Sequence, residues 1–60
     1  MTVTTNAPEA VLKVREVANH LDCDEDTVYR LIREGRVRAI RLGRVLRVPA
    51  SALADFIAGR

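Results

Sequence analysis

Two short apolar stripes, on helical segments joined by only three residues, constrain this 60-residue chain more than any other feature. Val14, Val17, Ala18 and Leu21 recur at helical spacing, and so do Val28, Leu31 and Ile32. Asp22-Cys23-Asp24 separates the two sets. Asp tolerates the left-handed conformation that ends a helix better than most residues with a side chain. Asp24 suits the N-cap of the next helix, and Glu25 and Asp26 then occupy a first turn where the helix dipole favours acids. The pattern predicts a first helix of about two turns over Arg15–Leu21. A second runs from Asp24 to Glu34 and is ended by Gly35. Leu21, Cys23, Val28 and Leu31 can meet only if the two helices cross steeply, which is a helix-turn-helix.

Beyond Gly35 the period changes from 3.6 to 2. Ile40, Leu42, Leu46 and Val48 are apolar, Arg41 and Arg47 alternate with them, and Gly43-Arg44 stands at the midpoint. This reads as a hairpin. Directly paired residues share a face. If all four aliphatic side chains face the core, the paired residue numbers sum to an even value, which implies a three-residue loop centred on Gly43. Ala39, Arg41, Val45 and Arg47 then face outward, with Arg44 at the tip. Val11-Leu12-Lys13-Val14 reads as a short edge strand. Pro49 suits the first position of a third helix over Ala50–Ala58, with Leu53, Phe56 and Ile57 as its stripe and Gly59 as its stop. The expected fold is mostly α with a small β-hairpin, a winged helix-turn-helix. Residues 1–10 are expected to be a flexible tail and residues 11–60 a single domain.

Composition narrows the function. A chain this small buries only about 60% of its unfolded surface, which leaves little room for an enclosed catalytic pocket. One cysteine, Cys23, and one histidine, His20, supply neither an internal disulfide nor the set of about four ligands a structural zinc needs. Cys23 is expected to fill a small core slot and His20 to lie on the surface. No nucleophile–base pair or carboxylate pair is evident, so the expectation is a non-enzyme without cofactor or metal. Tyr29 and Phe56 are the only aromatic residues, too few for base stacking. No apolar run approaches the roughly 18 residues of a membrane span, and the first ten residues lack the order of a signal peptide, so a cytoplasmic setting without membrane contact is expected.

Net charge is +2, but its distribution is lopsided. Residues 1–29 carry −4 and residues 30–60 carry +6, and the segment from Arg30 to Arg47 holds seven arginines against Glu34 alone. The arginine fork matches phosphate oxygens and the guanine edge. Double-stranded DNA is therefore the expected partner.

Asp26, Tyr29, Arg30 and Arg33 share the face of the second helix opposite its core stripe, and the major groove admits one helix. Arg30 and Arg33 are the candidates for reading guanine or gripping phosphate. Tyr29 suits a phosphate or sugar contact. Thr27 in the first turn suits a phosphate contact alongside the helix amides. Asp26 could orient Arg30, accept from a cytosine amino group, or serve only the dipole. Arg41, Arg44 and Arg47 on the wing suit the minor groove, where A·T-rich DNA concentrates negative potential.

Val14-Arg15-Glu16-Val17-Ala18, Leu21, Thr27 through Gly35, Ile40-Arg41-Leu42-Gly43-Arg44 and Arg47-Val48-Pro49 together carry a resemblance. Leu12–Ala58 resembles the excisionase-type helix-turn-helix domains, relatives of the MerR-like winged helices. Asp22 stands where that family usually has glycine and Asp24 where it often has Ser or Thr. Glu25 and Asp26 replace basic or small residues. The resemblance implies a recombination directionality factor of phage type. Copies would bind direct repeats cooperatively, contact one another, bend the DNA, and turn a tyrosine or serine integrase toward excision. A small transcriptional regulator with the same contacts is the alternative. A protein-interaction module of antitoxin type is a third reading.

Overall fold

The computed structural model describes residues 10–59. Residues 1–9 of the expected tail lie outside the described residues. Ala10, also assigned to the tail, accepts the Ala50 N–H at 3.0 Å and so is tied to the domain.

The chain runs β1 (Val11–Lys13), α1 (Val14–Leu21), α2 (Glu25–Arg33), β2 (Ile40–Leu42), β3 (Val45–Pro49) and α3 (Ala50–Ala58). This is the winged helix-turn-helix that the sequence predicts. α1 begins one residue before the predicted start and α2 ends one residue before its predicted stop. The expected edge strand is present, and β3 lies between β1 and β2 in an antiparallel sheet.

The turn between α1 and α2 is built as its residues dictate. Asp22 takes the left-handed conformation (φ 55°, ψ 48°). The Cys23 N–H donates to the Ala18 carbonyl at 3.0 Å, and the Asp22 N–H donates to Asn19 at 3.3 Å. These two bonds close the Schellman arrangement at the end of α1. At the start of α1 the Lys13 N–H donates to Glu16 Oε1 at 2.8 Å, half of a capping box. α2 ends in the same way as α1. Gly35 adopts φ 75°, Arg36 N–H donates to Leu31 and Gly35 N–H to Ile32.

Val17, Val28, Val37 and Val48 are fully buried, and Val14, Ala18, Leu31, Ala52 and Leu53 complete the core. Each fully buried valine contributes on the order of 1.5–3 kcal/mol of apolar transfer. Leu21, Cys23 and Ile32 are half-buried against this cluster. The aliphatic stripes of α1 and α2 therefore meet as expected, with Cys23 in the slot beside them.

Two expectations are corrected. The hairpin pairs Ile40 with Arg47, Arg41 with Leu46 and Leu42 with Val45. The paired numbers sum to an odd value, and the loop is the two residues Gly43-Arg44. Gly43 has φ 63° and Arg44 does not have positive φ, the pattern of a type II′ turn with glycine first. Turn geometry, not complete burial of aliphatic side chains, sets the register. Leu46 and Val48 face the helices as predicted, together with Leu12. Ile40 and Leu42 face away with Val45 and are exposed. Arg41 comes round to the helix side of the sheet, whereas Arg47 stays on the outer side. Ala39, expected to face outward, is half-buried against the core. On α3, Ile57 is 63% exposed and Ala52 takes its place in the stripe with Leu53 and the half-buried Phe56.

Candidate nucleic-acid interface

α2 is fixed from its N-terminal end. Asp24 is its N-cap, and one carboxylate oxygen accepts the Thr27 N–H at 2.9 Å. Hydrogen bonds from the Thr27 side chain and backbone hold the Asp24 carboxyl below its ordinary value, with the Arg30 charge adding to the same effect. Thr27 is half-buried and committed to this cap. A phosphate contact from its hydroxyl would have to compete with the Asp24 bond, which the sequence pattern does not reveal.

On the outward side of α2, Asp26, Tyr29, Arg30 and Arg33 are exposed, as their spacing predicts. Among the described residues neither Arg30 nor Arg33 forms a hydrogen bond or ion pair, so Arg30 is not held by Asp26. Both guanidinium groups keep all their donors available. An exposed helix face with free arginine forks has the dimensions and donor set for a major groove.

The other arginines divide into two groups. Arg36 lies over the Phe56 ring, 6.0 Å from Cζ to centroid. Arg38 donates to Ser51 Oγ at 3.2 Å and stands 3.8 Å from Asp55 Oδ2. These two clamp the segment after α2 onto α3, a structural role that charge counting alone does not separate from ligand contact. Arg41 and Arg44 are exposed without a hydrogen-bond or ion-pair partner among the described residues. Arg44 stands at the hairpin turn. Arg47 is half-buried and donates to its neighbour Leu46 carbonyl at 3.0 Å. The three predicted wing arginines thus do not share a face.

Among the described residues no group of three or more His, Cys, Asp or Glu is placed to hold a metal ion. No helix there is long and apolar enough to cross a membrane.

A model of the helix-turn-helix domain family matches residues 11–60. An excisionase of Streptomyces ambofaciens is 42% identical over 55 residues, covering 92% of this chain and 87% of that protein. The chain belongs to the excisionase-type helix-turn-helix family. A candidate DNA-binding protein of Mycobacterium tuberculosis is 41% identical over 51 residues, covering 85% of this chain. A candidate excisionase of Saccharopolyspora erythraea is 33% identical over 48 residues, covering 80% of this chain. The chain spans 65% of the mycobacterial protein and 49% of the Saccharopolyspora one. No solved structure matches the chain. Within this excisionase-type domain, Asp22 and Asp24 preserve the turn and cap that their positions require.

Proposed function

We propose that this chain is a sequence-specific binder of double-stranded DNA that acts as an excisionase. α2 enters the major groove with Arg30 and Arg33 toward bases or phosphates, and Tyr29 and Asp26 beside them. Arg44 leads the wing into the adjacent minor groove, flanked by Arg41 on one side and Arg47 on the other. The observation that carries this reading is the pair of unpartnered arginines on the exposed face of a firmly capped α2. The similarity to an excisionase over most of both chains supports it.

The role is architectural rather than catalytic. Copies bind direct repeats side by side and cooperatively, bend the duplex, and direct a tyrosine or serine integrase toward excision. A single module covers roughly 600–1,000 Å² on DNA, and such a small footprint binds weakly alone. Adjacent copies on one duplex gain avidity from their high effective concentration.

Gel-shift titration on duplex from upstream of the coding sequence tests the binding. The expected result is a shift at low salt that Arg30→Ala with Arg33→Ala abolishes. Unshifted duplex at micromolar protein would end the DNA reading. An excision assay with the matching integrase then tests the output, and retention of full excision without this protein would overturn it.

A further inference from the structure

Residues 34–39 connect α2 to the wing. Among the described residues α2 packs extensively only on α1, and β2 only on β3. All three residues of β2 are exposed, so this strand brings no buried side chain to the core. The core holds the hairpin through β3, by Val48 and the half-buried Leu46. α1 packs on both α2 and β3 and supplies one link between helix and wing. The connection supplies the second.

The first half of the connection belongs to α2. The Gly35 N–H donates to Ile32, the Arg36 and Val37 N–H groups both donate to Leu31, and the Val37 side chain is fully buried. Arg38 is the first residue past that hold, and its side chain reaches α3. Nη2 donates to Ser51 Oγ at 3.2 Å, and Nη1 stands 3.8 Å from Asp55 Oδ2. Arg36 lies 6.0 Å from the Phe56 ring centroid, within cation–π range. A cleft of about 510 Å³ separates the connection from α3, lined in part by Ile32, Val37, Ala39 and Phe56. The arginine contacts bridge this cleft as struts. α3 in turn starts at the residue after β3, and its Ala52 and Leu53 share one core with Val48. α3 and β3 therefore form one packed unit.

We infer that Arg38 and Asp55 are positioning residues for DNA recognition: their pair ties the end of α2 to the α3–β3 unit and so sets where the wing stands relative to α2. Neither residue has to touch DNA. The two side chains are 60% and 40% exposed, and a pair so open to solvent contributes little to global stability. Its effect falls instead on the shape of the binding surface, because the arginines of α2 and of the wing must reach one duplex together. That last step rests on the proposed function; the strut itself does not.

Asp55→Ala gives a sharp test, because charge and position predict opposite signs. Taking a carboxylate off a protein that binds a polyanion tightens binding by charge alone. Loss of positioning weakens it. Alanine is the strongest helix former, so α3 persists in the variant. In gel-shift titration Asp55→Ala is expected to bind specific duplex about 2- to 30-fold more weakly, the range for residues that act on a site without touching it. Its melting temperature is expected to stay near that of the parent. The charge exchange, Arg38→Asp with Asp55→Arg, is expected to recover the parent's affinity. Residual dipolar couplings without DNA give a second readout. In the parent and in the exchange, the amides of α2 and of β2 and β3 are expected to fit one alignment frame. In Asp55→Ala the wing is expected to need a frame of its own. Equal or tighter binding by Asp55→Ala would overturn the inference. An exchange no better than Asp55→Ala would assign Arg38 to a phosphate and overturn it too, as would couplings that fit one unchanged frame in all three chains. Duplex left unshifted by the parent would sink the DNA reading, and the couplings alone would then decide the strut.

Discussion

Arg41 pairs across the wing with Leu46, and Arg47 pairs with Ile40, so the two arginines project from opposite faces of the hairpin. A duplex lying against one face is within reach of that face's arginine only, whereas Arg44 at the turn serves either. Salt dependence separates the cases, because each phosphate contact contributes about 0.9 to the slope of log K against log salt. Arg44→Ala is expected to lower that slope by about one contact. Only one of Arg41→Ala and Arg47→Ala is expected to do the same. Equal losses from both would mean that the hairpin enters its groove edge-on.

Arg30 and Arg33 differ from the wing in what they determine. A bidentate arginine–guanine contact discriminates between bases by roughly 1–3 kcal/mol. Arg30→Ala and Arg33→Ala are each expected to narrow the gap between specific and non-specific duplex in competition gel shifts. Arg44→Ala is expected to weaken both duplexes alike. Neither α2 arginine forms a hydrogen bond or ion pair among the described residues, and the Arg30 charge is the smallest of the influences on the Asp24 cap, so the melting temperature of both variants stays near that of the parent. A large fall in melting temperature would reassign these residues to structure.

The cap of α2 links stability to pH. The Asp24 carboxyl is held below its ordinary value of 3.8, chiefly by its hydrogen bond from the Thr27 side chain. A group whose folded pKa is depressed stabilises the fold above its unfolded pKa, and that contribution is lost as pH falls through the folded value. Asp24→Asn is expected to retain the cap near neutral pH, since Asn is as good an N-cap as Asp. It should also flatten the fall in melting temperature below the ordinary Asp range. Asp24→Ala is expected to lower the melting temperature at neutral pH. An unchanged acid limb in Asp24→Asn would assign that limb to other carboxylates.

The two helices and their turn were legible because every local signal agreed. Apolar spacing, Asp24 as cap and Gly35 as stop all specified one structure, and α2's exposed face followed from the same spacing. The wing was legible as an element but not in register, because two signals conflicted. Alternating aliphatics demanded one pairing, and Gly43-Arg44 as a glycine-first two-residue turn demanded another. The turn prevailed at the cost of exposing Ile40 and Leu42. The roles of Arg36 and Arg38 were hidden for a different reason. Their partners Phe56, Ser51 and Asp55 are distant in sequence, and no local pattern announces such contacts.

The turn itself predicts how the wing responds to substitution. Gly43 adopts φ 63°, and no atom lies within 4 Å of where a Cβ would stand. The cost of Gly43→Ala is thus conformational, on the order of 1–2 kcal/mol for a left-handed residue with a side chain. Chemical denaturation is expected to show a loss of about that size. No loss would indicate that the hairpin has shifted to the three-residue loop that the aliphatic pattern favours.

Asp22 is the converse case. It holds the left-handed position at the end of α1 with a side chain in place, at φ 55°. Replacing it with glycine removes a penalty of at most roughly 1–2 kcal/mol, the general figure that Asp partly escapes. Glycine in turn loses more backbone freedom on folding, which takes back about 0.5–1 kcal/mol. The Schellman bonds use only backbone groups, Asp22 N–H to Asn19 and Cys23 N–H to Ala18, so they survive the change. Asp22→Gly is therefore expected to stabilise the domain by up to about 1 kcal/mol. That corresponds to a rise of several degrees in melting temperature for a domain of this size. Asp22→Ala keeps the Cβ, loses the tolerance that Asp has for this conformation, and is expected to destabilise. A glycine variant no more stable than the parent would show that the Asp22 carboxylate itself contributes to the turn, which a charge-preserving Asp22→Glu comparison would then locate.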